Sequence, residues 1–283
     1  LDTGPWDLST FSQNRKRRFT ESGLLEQLFD ETVALAIKQK LVSQHTTLDG
    51  TLVQANASHK SFVPIEVFLQ PEDYKKRIRS LDSPAEQDPG NPTITFRGER
   101  RSNQTHVSMT DPDAKLANKG NGTAAMVGYT VNGLMENRHR LLLGINVESF
   151  RGPASETDGG RTLIDRFHRT HRQRIQTVGA DKGYFAQSFL TALFRRRITP
   201  HIATKATGQE AVHQRVRRLG RTVGYRLSQR ARKKIEELWG EAKCWHGFRR
   251  FRRRGLLQVR DEAYLMGWLL NLKRLAKLLP APA

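Results

Sequence analysis

The chain has 283 residues, room for one large domain or two small ones, with a modest but sufficient apolar content for a core. Its 48 Lys and Arg against 28 Asp and Glu give a formal charge of +20, a surplus that points to a polyanion, nucleic acid before any other. No run of about 18 apolar residues and no signal peptide is present, which argues against a membrane partner. The lone Cys244 excludes an internal disulfide and fits a reducing cytoplasm, so the Asn-x-Ser/Thr matches at Asn56, Asn103 and Asn121 carry no meaning.

Residues 1–20 are polar and basic, and the start at Leu1 reads as the middle of a domain whose N-terminus is missing. Apolar residues then recur at helical spacing over 21–41. Residues 45–56 (HTTLDGTLVQAN) read as a strand carrying Asp49 and Gly50 within it or at its end. Residues 57–106 hold five prolines and many charges and read as an insertion or arm, with a helix expected over 71–80. A turn at 110–114 (TDPDA) closes that arm, which spans 57–120 as a whole.

Strands follow over 124–132 and 141–149, close enough for a hairpin. A Pro/Gly/Asp loop at 152–160 is expected to lead into a helix over 161–171. The apolar run 175–180 is of strand length and ends at Asp181. A helix over 185–196 and a strand over 198–203 follow, and Pro200 places that strand at a sheet edge. Residues 204–226 read as a basic loop, 228–243 as a helix, 244–255 as an Arg-dense connection, and 259–279 as a last helix. This order argues a mixed α/β sheet with helices on its faces, a fold that places ligand groups at the C-terminal ends of its parallel strands.

The helix 230–243 (RARKKIEELWGEAK) has Ile235, Leu238, Trp239, Ala242 and Trp245 on one apolar arc. Arg232, Glu236 and Lys243 form a narrow stripe beside it, while Glu237 and Glu241 point elsewhere. Taken alone the stripe is a surface ion-pair row. Asp49 is either a strand residue or half of an Asp-Gly turn, and Asp181 either a ligand or a turn cap. Together two Asp at strand ends and one Glu on a packed helix suit magnesium or manganese, which prefer hard oxygen ligands. Two such ions can clamp the attacking and leaving oxygens of a phosphoryl transfer.

Other candidates read more plainly. Arg249, Arg250, Arg252, Arg253 and Arg254, with Arg215, Arg217, Arg218 and Arg221, suit contacts to a phosphate backbone. Asp111 and Asp113 read as a polar turn, His139 and His246 as lone histidines without a second zinc ligand, and Trp239 and Trp245 as core residues rather than base-stacking ones.

The segments 48–58 (LDGTLVQANAS), 108–114 (SMTDPDA), 178–185 (VGADKGYF), 232–243 (RKKIEELWGEAK) and 271–279 (NLKRLAKLL) resemble the DDE transposases of bacterial insertion sequences. Residues 6–15 resemble the tail of the N-terminal helical domain such proteins carry. The most specific element is Arg232, Glu236 and Lys243 at their spacing; relatives often have Tyr where Gln229 stands, which leaves a DNA contact there in doubt. The resemblance implies a ribonuclease H-like mixed sheet with helices on both faces and an inserted arm after the first strand. Residues 1–42 would be a remnant of the N-terminal domain, and 43–283 the catalytic domain. Asp49, Asp181 and Glu236 would hold two Mg2+ or Mn2+ ions, and Arg232 and Lys243 the phosphates beside the scissile bond. The expected partners are double-stranded DNA, as terminal inverted repeats and target, and a second copy of the chain, in the bacterial cytoplasm with the nucleoid. A non-catalytic DNA-binding remnant, or another nuclease on this fold, fits the same residues.

Overall fold

The computed structural model describes residues 7–68, 101–118 and 125–279; the helix expected over 71–80 lies outside them. A short helix α1 (Leu8–Asn14) runs through a π-turn (Arg15–Thr20) toward α2 (Leu24–Lys38). The strand β1 (His45–Gln54) follows, then β2 (Phe62–Pro64), a single helical turn α3 (Ile65–Phe68), β3 (His106–Ser108) and β4 (Lys115–Ala117). The long hairpin β5 (Met126–Glu136) and β6 (Leu142–Ser149) leads to α4 (Pro153–His171). Next come β7 (Thr177–Ala180), α5 (Gln187–Arg195), β8 (Thr199–Ile202), α6 (Ala211–Leu219), α7 (Val223–Trp245) and α8 (Leu256–Leu278).

Six strands form the main sheet in the order β4-β5-β1-β7-β8, with β6 also paired to β5. β1 runs antiparallel to β5 and parallel to β7, and β7 is parallel to β8. β8, with Pro200, is the edge expected from the sequence. β2 and β3 pair in a separate two-stranded sheet.

Alternation along β1 explains the layering. Leu48 and Gly50 turn toward α4: a Cβ on Gly160 would stand 3.0 Å from Leu48, and one on Gly50 3.0 Å from Glu156. Asp49 and Thr51 turn toward α7. α8 packs beside α7 on β6, and α2 packs on α8, where Phe29 meets Tyr264 at 5.8 Å between ring centroids. Leu25, Phe29 and Val33 of α2 join the same buried core as the sheet.

Three expectations are corrected. Residues 152–160 are not a loop: α4 starts at Pro153, which suits a first turn because its missing N–H is needed by no partner there. Residues 204–226 are not a basic loop either, for they contain α6 and the first turn of α7. α7 begins five residues early because Thr222 caps it, its hydroxyl accepting from Tyr225 N at 3.2 Å. Trp245 is 79 % exposed, not core. It is the last residue of α7, beyond the stretch of that helix that the sheet covers.

Candidate active site

Asp49 lies inside β1, paired with Gly133 of β5, so the Asp-Gly pair is not a hairpin turn. On the other side of β1, Thr47 pairs with Gly179 in the parallel ladder. Two residues further along each chain stand Asp49 and Asp181. Both residues therefore lie two positions past the last pair of that parallel ladder, at the end where β7 stops. Asp181 keeps extended geometry and its Oδ1 accepts from Gly183 N at 2.7 Å, capping the turn Lys182–Tyr184. The turn cap expected of Asp181 is thus formed by the same carboxylate that is the candidate site residue.

α7 is seated by two contacts that only missing side chains permit. A Cβ on Gly133 would stand 2.6 Å from the Trp239 ring, and one on Gly179 would stand 2.7 Å from Ser228 Oγ. Ile235, Leu238, Trp239 and Ala242 are buried under the helix; burial of such side chains contributes roughly 1.5–3 kcal/mol each for the larger ones. Glu236 stands on the sheet side of the stripe, close enough for its charge to act on Asp49. Its carboxylate, 55 % exposed, accepts from Arg232 at 2.8 Å.

The structure places the neighbours differently. Glu237 pairs with Arg140 at 2.8 Å, and Glu241 with Lys273 and Arg274 of α8. Lys243, two turns along α7 from Glu236, donates its Nζ to Thr51 Oγ1 at 2.5 Å and to Leu52 O at 2.9 Å, tying α7 to β1. Gln229 donates to the carbonyls of His201 at 2.6 Å and Ala180 at 3.2 Å, holding the ends of β7 and β8 together beside Asp181.

The sequence did not single out Glu156. It sits in the first turn of α4 and reaches the C-terminal end of β7. Burial, then the charge of Asp181, pushes its carboxyl up, against a pull from Lys205. Its signal was masked by the Pro, Gly and Asp residues around it, which read as loop.

Burial also pushes the Asp49 carboxyl up to about 7, followed by repulsion from Asp181, Glu156 and Glu236, with the charge of Arg232 acting against it. Tyr184, fully buried, is raised by burial and then by Glu156, Asp49 and Asp181. This crowding of negative charge, carried by hard oxygen donors, fits a divalent cation of the magnesium type. Asp49 and Asp181 are the first residues that would hold it. Among the described residues no three His, Cys, Asp or Glu side chains converge as a metal-binding group, and Glu236 is turned into its pair with Arg232.

The basic segment after α7 is anchored to the same strand. Phe248 and Phe251 are buried, and Gln54 exchanges backbone hydrogen bonds with Arg249 O at 3.0 Å and Phe251 N at 2.8 Å. Arg249, Arg250, Arg252 and Arg254 are exposed around those anchors, while Arg253 is half-buried and donates to Gln258. Arg254 donates to Asn56 O at 2.8 Å. Arg217 is used within the fold, donating to the carbonyls of Lys205, Ala206 and Thr207, and Arg215 stacks on Phe194 at 4.1 Å. Arg218 and Arg221 are exposed.

Asp111 and Asp113 form the polar turn expected: they accept from Gly255 N and Leu256 N at the start of α8, and Tyr129 donates to Asp111 at 2.6 Å. His139 contacts Leu41 O at 2.6 Å and His246 contacts Lys273 at 3.0 Å, each far from a shared ligand set. No helix among the described residues is long and apolar enough to cross a membrane.

The strand sequence β6-β5-β1-β7-β8, with three antiparallel and two parallel members and helices on both faces, defines a ribonuclease H-like α/β domain. The chain belongs to the transposase DDE domain family, whose model matches residues 95–272, more than half of its length. That match includes Asp181 and Glu236 and begins after Asp49. Two solved structures are similar at 10% identity and a TM-score of 0.27: the Mos1 transposase paired-end complex with left transposon end, over 85% of this chain, and a pre-cleavage Mos1 transpososome, over 98%. The chain covers 65% of the length of each, and a likeness this slight carries no weight below. No curated relative matches the chain.

Proposed function

We propose that this chain is the catalytic domain of a transposase that cuts DNA at transposon ends and joins those ends to target DNA. The observation that supports the reading is that Asp49 on β1 and Asp181 just past the parallel neighbour β7 come close enough to raise the Asp49 carboxyl together, with Glu236 of α7 in electrostatic reach. Asp49 is central because Asp181 and Glu236 both act on it. Asp49, Asp181 and Glu236 would hold a pair of Mg2+ or Mn2+ ions, whose chemistry when bound would be activation of water or a DNA 3′-hydroxyl and relief of charge on the leaving oxygen. Arg232 keeps Glu236 aligned, Gln229 fixes the strand end that carries Asp181, and Lys243 locks α7 onto β1. Hydrolysis and strand transfer are the same in-line displacement with different nucleophiles, so one site serves both.

The exposed arginines after α7 hold the DNA backbone next to the site, with Arg218 as a further contact. The DNA is the terminal inverted repeats and the target, engaged by a homodimer. The test is metal-dependent nicking of DNA carrying the flanking element ends. Asp49→Asn, Asp181→Asn and Glu236→Gln each abolish nicking and leave DNA binding intact; near-wild-type nicking by any one removes that residue from the site. Strand-transfer products separate a transposase from another nuclease of this fold. Binding without any nicking by the unaltered chain would favour a non-catalytic remnant.

A further inference from the structure

We propose that Glu156 is a fourth carboxylate of this site, sharing with Asp181 one divalent-cation position at the C-terminal end of β7. The proposal rests on the transposase reading above and assigns a role to a side chain on the opposite face of the sheet from α7.

Two close approaches converge on it. The point where a side chain on Gly183 would begin is 2.9 Å from Glu156 Oε2 and 2.9 Å from Asp181 Oδ1, so the two carboxylates flank a single gap. The corresponding point on Gly50, next in chain to Asp49, is 3.1 Å from Glu156 Oε1 and 3.1 Å from Asn132 Oδ1. Gly50 and Gly183 are thus the places where any side chain would push Glu156 away from the site.

Asn132 supplies an independent sign of a missing positive partner. It is fully buried, and its orientation is set by Nδ2 donating to Ser155 O at 3.3 Å. Its Oδ1 then faces Glu156 without a hydrogen-bond donor. The hydroxyl of Tyr184, on the turn that Asp181 caps, is buried and equally unpartnered. Buried acceptors are almost always satisfied, and an ionised carboxylate and an amide oxygen side by side can offer each other nothing. A hard cation with its bound water satisfies both. Glu156 also forms no ion pair among the described residues, whereas Asp158, two residues on, pairs with Arg161 at 2.7 Å.

The test is a Mn2+ titration of the full chain without DNA, read by electron paramagnetic resonance, with thermal unfolding of each variant alongside. Glu156→Gln is expected to weaken Mn2+ binding by about tenfold or more, comparably to Asp181→Asn, and to shrink the Mn2+-induced rise in Tm. Asp158→Asn, on the same helix, is expected to bind as the unaltered chain does. If Glu156→Gln binds Mn2+ unchanged while Asp49→Asn loses it, the fourth-carboxylate assignment is wrong and the catalytic reading stands. If the unaltered chain binds no Mn2+, both fall. A Glu156→Gln chain that unfolds without metal overturns the assignment in favour of a structural role, because neutralising a carboxylate among carboxylates should stabilise the metal-free fold.

Discussion

Asp49 sits where a carboxylate is least comfortable, inside a strand and beside Asp181, Glu156 and Glu236. Its raised pKa of about 7 has a direct consequence for stability. Between the unfolded value of about 3.9 and about 7 the native state binds the extra proton. Stability of the metal-free protein therefore falls as pH rises through that window, by at most about 4 kcal/mol. Urea unfolding at pH 4.5 and pH 7.5 is expected to show the loss, and Asp49→Asn to remove most of it. A stability independent of pH in the unaltered chain would contradict the crowding. The sequence left Asp49 open between strand and turn, because Asp-Gly serves both; only its pairing with Gly133 and the parallel neighbour β7 decides the matter. Glu156 was illegible for a related reason. Helix propensity is weak beside Pro153 and Gly159–Gly160, and it is packing against Leu48 and Asn132 that makes the helix.

At the scale of elements, α7 owes its height above the sheet to glycine. Trp239 rests on Gly133, the residue paired with Asp49, and Ser228 rests on Gly179, the residue paired with Thr47. Gly133→Val is expected to lift the helix and cost roughly 1–3 kcal/mol by overpacking. Because Glu236 lies one turn from Trp239, nicking should fall by far more than the lost stability accounts for, which a comparison of Tm with single-turnover rate would show. Equal losses would mean that helix height does not position the carboxylate. Strand and helix order was legible wherever apolar residues kept one period, as in β1, β5, β6, α2 and α8. It was lost where the helix carries charge on most faces, as α6 does, where Val216 and His213 are buried and Val212 half-buried among its arginines. Trp245 followed the helical period faithfully yet lies outside the core, since periodicity gives a direction and not the extent of the surface that covers it.

For the whole molecule, the charge of +20 is spread over arginines that do two jobs. Arg217, Arg253 and Arg254 also tie loops and helix ends together, so the excess of charge overstates the number free to meet phosphate. The affinity for transposon-end DNA is expected to fall with salt, with a log–log slope of roughly −0.9 per phosphate contact. Replacing Arg249 and Arg250 by Ala should reduce that slope by about 2; an unchanged slope would place the DNA elsewhere. The composition pointed to a polyanionic partner, but not to which arginines would serve it, because that depends on anchors such as Phe248 and Phe251 that are far less conspicuous than the arginines between them.

The backbone staple between Gln54 and the segment 249–251 sets a length. Arg250 is registered five residues along β1 from Asp49, which at the rise of a strand is roughly 17 Å. Phosphates along one strand of DNA are spaced about 3.4 Å apart. A backbone lying along β1 would thus be gripped about five nucleotides from the bond that Asp49 faces. The distance is fixed by two peptide hydrogen bonds rather than by a flexible side chain, so on the proposed reading one strand would both carry the cutting carboxylate and set how far from it the DNA is held.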